Sequence, residues 1–279
     1  MVNTNYTYSY SNTLKPLIVE HKRARQEMFR VKRKIAREKE TNYGYEDILQ
    51  LLNTSSETAQ SYETLLSSLH LLNSTRPLKT ILVTSAQPEE GKTTVSINLA
   101  FTMMLANKKA LIIDTDLRKP RLHQILKLEN MLGFADILNG SQDVKNVIQS
   151  VNVTNDTPER NQILSVITSG RVSRNSFNTM GSPKLRDAIE HLRNDYDIVL
   201  LDSSPVLSVS DSLLLAPLVD GVILILNTGV VTEKDAKSAK ERLEQAGGHI
   251  LGVVMNRFNE KLHGPGFHPY YGYYHDAKR

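Results

Sequence analysis

Six short runs of aliphatic residues recur through the middle of the chain, at 80–84, 110–113, 163–168, 198–201, 222–226 and 250–255. Each is apolar at consecutive positions rather than alternate ones, the pattern of a strand covered on both faces. Segments with helical spacing lie between them, at 95–106, 183–193 and 233–246, the last closed by Gly247-Gly248 as a C-terminal stop. Strand followed by helix, repeated, predicts an α/β fold: a doubly wound, mostly parallel sheet flanked by helices. No internal repeat is evident.

The rest of the chain differs from this middle. Residues 1–60 are polar, dotted with tyrosine and strongly basic between Lys15 and Lys39, whereas 259–279, rich in Gly, His and Tyr, hold too few aliphatics to fold alone. This divides the chain into a basic N-terminal segment, partly helical or flexible (1–60), an α/β domain (61–258) and a flexible tyrosine-rich tail (259–279). With 279 residues, 40% hydrophobic and 23% charged, the chain can bury one sizeable core. It has no cysteine, which excludes a disulfide framework, a thiolate nucleophile and a cysteine-built zinc site. The start lacks a signal-peptide pattern and no apolar run approaches the roughly 20 residues of a membrane span, so a cytoplasmic protein is expected. A net charge of +4 gives little reason to expect a nucleic-acid partner.

The first strand-like run leads into Ala86-Gln87-Pro88-Glu89-Glu90-Gly91-Lys92-Thr93-Thr94. Strand, turn, lysine and hydroxyl at a helix start are the parts of a phosphate-binding loop. Gly91 lets the backbone approach the phosphates, Lys92 reaches the β- and γ-phosphates, and Thr93 offers its hydroxyl to Mg²⁺. Ala86 stands where such loops usually have their first glycine. Glu89 and Glu90 are uncomfortable near a polyphosphate and are expected to face solvent. Asp114 and Asp116 follow the second run, and Asp202 ends the fourth. In an open α/β sheet ligands bind at the carboxyl edge, so the three carboxylates are expected to converge on the metal and terminal phosphate.

These residues resemble the bacterial tyrosine kinases, P-loop autokinases of capsule and exopolysaccharide assembly. "AQPEEGKT" is similar to their Walker A motif, "LIIDTDLR" to Walker A′, "IVLLDSSP" to Walker B, and "PYYGYYHD" to their tyrosine cluster. Related partition and septum-site ATPases carry a signature lysine five residues before the P-loop lysine, where this chain has Gln87. The family's oligomerising helix carries Glu-x-x-Arg-x-x-Arg; the corresponding segment here offers Gln60, Glu63 and Leu66. The chain is similar to the family's separate cytoplasmic form, which depends on a membrane-protein activator of polysaccharide chain-length control.

The resemblance implies ATP and Mg²⁺ as cofactors, bound by Gln87 to Thr94. Thr93, Asp116 and Asp202 would hold the metal, Lys92 the phosphates, and Asp114 would accept the tyrosine hydroxyl proton. Asn256 and Arg257 resemble the family's base-contacting position; a strand-ending turn is the other reading. Arg118 and Lys119 read either as phosphate or tail contacts or as an exposed basic helix start. Tyr270, Tyr271, Tyr273 and Tyr274 are the proposed acceptors, against a docking strip or a plain chain end. Residues 15–39 have heptad-like apolar spacing and read as an amphipathic helix for an anionic membrane surface or a partner helix, or as a solvated face. The expected function is an ATP-dependent tyrosine autokinase that self-associates, phosphorylates its tail in trans and regulates polysaccharide export at the inner face of the membrane through a partner. The competing function is a nucleotide-switched assembly ATPase without tyrosine kinase activity.

Overall fold

The computed structural model describes residues 57–74, 76–153, 162–172, 176 and 180–257. The basic stretch 15–39 and the four tail tyrosines lie outside them. The described chain runs α1 (Glu57–Asn73), β1 (Thr80–Ser85), α2 (Lys92–Leu105), β2 (Ala110–Asp114), α3 (Leu122–Ile125), α4 (Phe134–Asn139), β3 (Ile148–Val153), β4 (Gln162–Ile167), α5 (Pro183–Asp195), β5 (Ile198–Asp202), α6 (Asp211–Leu215), β6 (Gly221–Asn227), α7 (Glu233–Gln245) and β7 (Ile250–Asn256). Seven strands form one sheet in the order β3-β4-β2-β5-β1-β6-β7. Every neighbouring pair is parallel except β3 with β4.

The continuous apolar runs work because successive side chains of a strand point to opposite faces. Ile81, Val83, Ile112, Leu200, Ile223 and Ile225 enter one core, against α1 and α2. Leu82, Leu111, Ile113, Val199, Leu201 and Leu224 enter the other, with Leu185 and Ile189 of α5 and Ala239 and Leu243 of α7. The doubly wound sheet is therefore the observed architecture.

Two elements depart from the expectation. β3 pairs antiparallel at the sheet edge, and its sequence, IQSVNV, mixes polar with apolar residues because an edge strand is not covered as a central one is. α1 begins at Glu57, ahead of the boundary placed at 60, and belongs to the core: Tyr62, Leu65, Leu66 and Leu69, spaced for one helical face, are all buried. Of the positions matched to the family's oligomerising pattern, Gln60 and Glu63 are exposed and Leu66 is buried.

The order of strands positions the site. Asp114 and Asp202 are direct register partners at the ends of β2 and β5, and Val83 of β1 pairs with Asp202. The loop leaving β1 thus emerges beside both carboxylates. At the opposite edge, Asp220 fixes the start of β1: its Oδ2 accepts the N–H groups of Lys79 and Thr80, each at 2.9 Å, while Arg193 pairs with its Oδ1 at 2.6 Å.

Candidate nucleotide and phosphoryl-transfer site

The loop 86–91 carries β1 into α2 with Gly91 at φ 90°, a left-handed conformation that favours glycine. α2 starts at Lys92, so the N–H groups of its first turn point out of the helix without intrahelical acceptors, the arrangement that receives a phosphate. Thr93 is buried; Pro88, Glu89 and Thr94 are exposed; Gln87 and Lys92 are intermediate. The Ser85 hydroxyl donates to the Gln87 carbonyl at 2.8 Å and shapes the start of the turn.

Lys92 Nζ lies 2.9 Å from Asp116 Oδ2. Burial alone would lower the lysine pKa, but Asp202, Asp116 and Asp114 together raise it, so the ammonium is firmly charged. Asp116 also organises its own loop, with Oδ1 accepting the N–H groups of Lys119 at 3.0 Å and Arg118 at 3.3 Å. Asp202 is fully buried; its Oδ1 accepts the Ser96 hydroxyl at 3.2 Å, while Oδ2 has no hydrogen-bond partner. Burial is the main reason its pKa is pushed up to about 6, with Lys92 and the Thr93 hydroxyl pulling the other way. An orphaned buried carboxylate oxygen beside a hydroxyl and a second carboxylate is a hard-oxygen donor set, which fits Mg²⁺. Among the described residues no group of three carboxylate or histidine side chains could hold a metal by itself. The set fits a magnesium ion that takes its remaining ligands from water and phosphate.

Asp114 is enclosed more deeply. Its Oδ2 accepts the N–H groups of Arg121 and Leu122, each at 3.0 Å, and Oδ1 accepts that of Asp116 at 3.3 Å. Burial first, and the neighbouring Asp202 second, hold its pKa well above the usual carboxylate range. It therefore braces the loop that carries Asp116, and only its weakly bonded Oδ1 is placed to receive a proton.

Several residues fall differently from the sequence reading. Glu89 faces solvent as expected, but Glu90 does not: it is fully buried, with Oε2 accepting the Gln87 N–H at 2.8 Å and Oε1 that of Asn227 at 3.2 Å. A carboxylate that captures backbone N–H groups is satisfied inside the fold, and here burial still raises its pKa. Asn256 is also buried; its amide donates to the Glu90 carbonyl at 2.8 Å and accepts the Arg257 N–H at 3.0 Å, so it holds the loop. Arg257 is half-buried, at φ 56°. Arg118 makes a forked pair with buried Asp211 at the start of α6, at 2.9 Å and 3.3 Å, and ties the Walker A′ loop to the segment after Asp202. Lys119 is exposed.

Ser96, Asp211 and a hydroxyl network were not foreseen. Ser96 lies three residues after Thr93 on α2, a spacing that places both on one face and could have flagged it. In the network, Thr84 donates to the Ser204 carbonyl at 2.8 Å, Ser203 to the Val83 carbonyl at 3.1 Å, and Ser212 to the Ser204 carbonyl. These bonds fix the turn after Asp202, and nothing in the spacing of the serines announces them.

A family model described as an AAA domain matches residues 78–236. Tyrosine-protein kinase YwqD of Bacillus subtilis is 31% identical over 228 residues, which cover 82% of this chain and 91% of that protein. The chain belongs to the bacterial tyrosine kinase family. A second bacterial tyrosine kinase, CpsD of Streptococcus pneumoniae, is 35% identical over 198 residues, 71% of this chain and 84% of its own length. The solved kinase domain of the Escherichia coli tyrosine kinase ETK superposes with a TM-score of 0.73 at 25% identity, covering 88% of this chain and 93% of that one. The septum-site protein MinD of Pyrococcus horikoshii, solved with Mg-ADP, is similar in fold, with a TM-score of 0.53 at 24% identity over 65% of this chain and 71% of that one. Among the described residues no helix is long and apolar enough to cross a membrane.

The raised pKa of Asp202 has a measurable consequence for this tyrosine kinase. A carboxylate must be ionised to hold a cation, so if Asp202 takes part in a metal site, Mg²⁺-dependent nucleotide affinity is expected to fall as pH drops through about 6. Asp202→Asn should bind more weakly and lose most of that pH dependence; titration calorimetry at several pH values reads both. For stability the sign is opposite. The folded, nucleotide-free chain keeps a proton on Asp202 that the unfolded chain releases near pH 4, so this group penalises the native state progressively as pH rises from about 4 to about 6, and the penalty is constant above that.

Proposed function

We propose that the protein is an ATP-dependent tyrosine autokinase whose acceptors are Tyr270, Tyr271, Tyr273 and Tyr274, donated to a neighbouring copy in trans. The observation that carries this is the convergence of Lys92, Asp116 and the unpartnered Asp202 oxygen at the carboxyl edge of one sheet, in a chain whose relatives are named tyrosine-protein kinases. Phosphoryl transfer is chiefly a matter of position and charge. Lys92 and the first turn of α2 grip the phosphates. Thr93, Asp116 and Asp202 would hold Mg²⁺, which would supply positive charge against the phosphates when bound. Asp114 takes the tyrosine proton on Oδ1. The covered carboxyl edge, with Asp114, Asp116 and Asp202 almost wholly buried, limits loss of phosphate to water.

We assign the protein to the inner face of the membrane, where a membrane-protein activator of polysaccharide chain-length control would engage it and phosphorylation would tune polymer export. The switch-ATPase reading loses ground at Gln87, where the related ATPases have their signature lysine; here Gln87 shapes the loop through its own backbone. Self-donation of the tail would block turnover, which favours trans transfer. Each phosphotyrosine adds about −1.5 to −2 charge, and several beside the Asp cluster would drive the tail out.

A mixture of two chains, neither able to label its own tail, tests the reading. One carries Lys92→Met with its tail intact; the other keeps its site but has all four tail tyrosines changed to Phe. With Mg-ATP, phosphate is expected on the Lys92→Met tail by intact mass. Its absence, when both chains are folded and the second binds nucleotide, overturns transfer in trans; ADP release without any mass change in the native chain overturns the kinase itself.

A further inference from the structure

Glu90 lies in the loop read as phosphate-binding, and its carboxylate is fully enclosed. A buried carboxylate is retained only where its oxygens are satisfied. Here the partners are backbone N–H groups on either side, Gln87 within the loop at 2.8 Å and Asn227 at the end of β6 at 3.2 Å. The main chain of the same residue is tied as well, since the Asn256 amide at the end of β7 donates to its carbonyl at 2.8 Å. Asn227 and Asn256 are register partners, so both ties end on one rung of the sheet. The next residue, Gly91, holds φ 90°, and a Cβ there would collide with the Asn256 amide. The loop is thus fastened at its tightest bend to two strand ends, and none of these bonds uses the N–H groups of Lys92, Thr93 or Thr94.

We propose that Glu90 is a positioning residue, and that with Asn227 and Asn256 it forms a strut holding the loop in its phosphate-receiving curve before nucleotide arrives. The inference rests on the reading of this loop as a nucleotide site, but not on tyrosine as the acceptor. A loop already curved loses no further freedom on binding. Without the strut, nucleotide binding must supply that ordering, in the ground state and transition state alike, so KM rises while kcat is nearly preserved.

Two variants separate reach from charge. Glu90→Gln keeps the length but turns an NH₂ donor toward one of the two N–H donors. Glu90→Asp keeps the charge but is one methylene too short to span Gln87 and Asn227. Both are expected to weaken Mg-ATP binding about tenfold or more, with kcat at saturating ATP within about threefold of the native value. In the nucleotide-free protein, amide exchange at Gln87 and Asn227 should quicken while the central strands are unchanged. Asn256→Ala, which leaves the carboxylate and its N–H partners in place, should raise KM in the same way. Combined with Glu90→Gln it should cost less than the sum of the two. Native or tighter nucleotide binding in both Glu90 variants would show that the carboxylate only repels phosphate and overturns the strut; so would a kcat that falls with KM unchanged. If Glu90→Gln does not fold, the Asn256→Ala result decides alone. If the native chain binds no nucleotide, the nucleotide reading fails, and the exchange measurement still decides whether the strut exists.

Discussion

Lys92→Met is expected to reduce phosphotyrosine formation by at least about 10²–10³-fold, because one charged contact to the transferring phosphate is commonly worth that much. The geometry argues for the upper end. Lys92 is the ammonium 2.9 Å from Asp116, and it also lowers Asp202. Removing it deletes a phosphate contact and leaves Asp114, Asp116 and Asp202 clustered without that cation. Asp114 and Asp202 then hold protons more tightly, so the site loses both its phosphate grip and part of its metal affinity. A stability signature should accompany this. Because the carboxylates' folded pKa values rise further, the penalty in the variant is largest at high pH and relieved as pH falls. The melting deficit against the native chain should therefore shrink between about pH 8 and about pH 5.5. Lys92 itself does not confuse the comparison: its folded pKa is raised, so its own contribution is lost only above the range of the experiment. A well-folded Lys92→Met protein with native autophosphorylation would falsify the assignment of the loop.

Much of this site was legible because its parts are local. The strand, the Gly91-Lys92-Thr93 turn and the helix of 14 residues that follows are contiguous, and the carboxyl-edge rule brings Asp114 and Asp202 together without knowledge of any contact. What stayed hidden is tertiary. Glu90 reads as a solvent-facing loop charge because its two N–H partners are 3 and 137 residues away, and the second exists only once β6 lies beside β1. Asn256 reads as a ligand contact or a turn for the same reason, its partner being 166 residues distant. α1 reads as the counterpart of the family's oligomerising helix and lies mostly inside the expected domain, but its part in the core goes unread, although Tyr62, Leu65, Leu66 and Leu69 follow a helical stripe that the sequence does contain. β3 lacked a signal because an edge strand needs no continuous apolar run.

Asp114→Asn should separate transfer from binding more sharply than any other single change. Asparagine keeps the shape, and its carbonyl can take the place of Oδ2 under the N–H groups of Arg121 and Leu122, so the Walker A′ loop keeps its brace. It cannot accept the tyrosine proton. Loss of a positioned base is worth about 10²–10⁴ in rate, and that is the expected fall in phosphotyrosine formation, with Mg-ATP affinity within a few fold of native. The neighbours sharpen the expectation. Asp202 sits directly opposite Asp114 in the register, and each raises the cost of charge on the other. In the native chain Asp114 becomes a base only once positive charge beside Asp116 and Asp202 has brought its pKa down. In the variant a neutral amide replaces a carboxyl that burial already keeps protonated, so Asp202 keeps its own titration and Mg²⁺ binding near pH 6 should track that of the native protein. Binding that weakens in step with transfer would assign Asp114 to the metal or to the loop alone. Transfer that survives would remove it from the chemistry altogether, leaving proton loss from the phenol to water as the phosphoryl group departs.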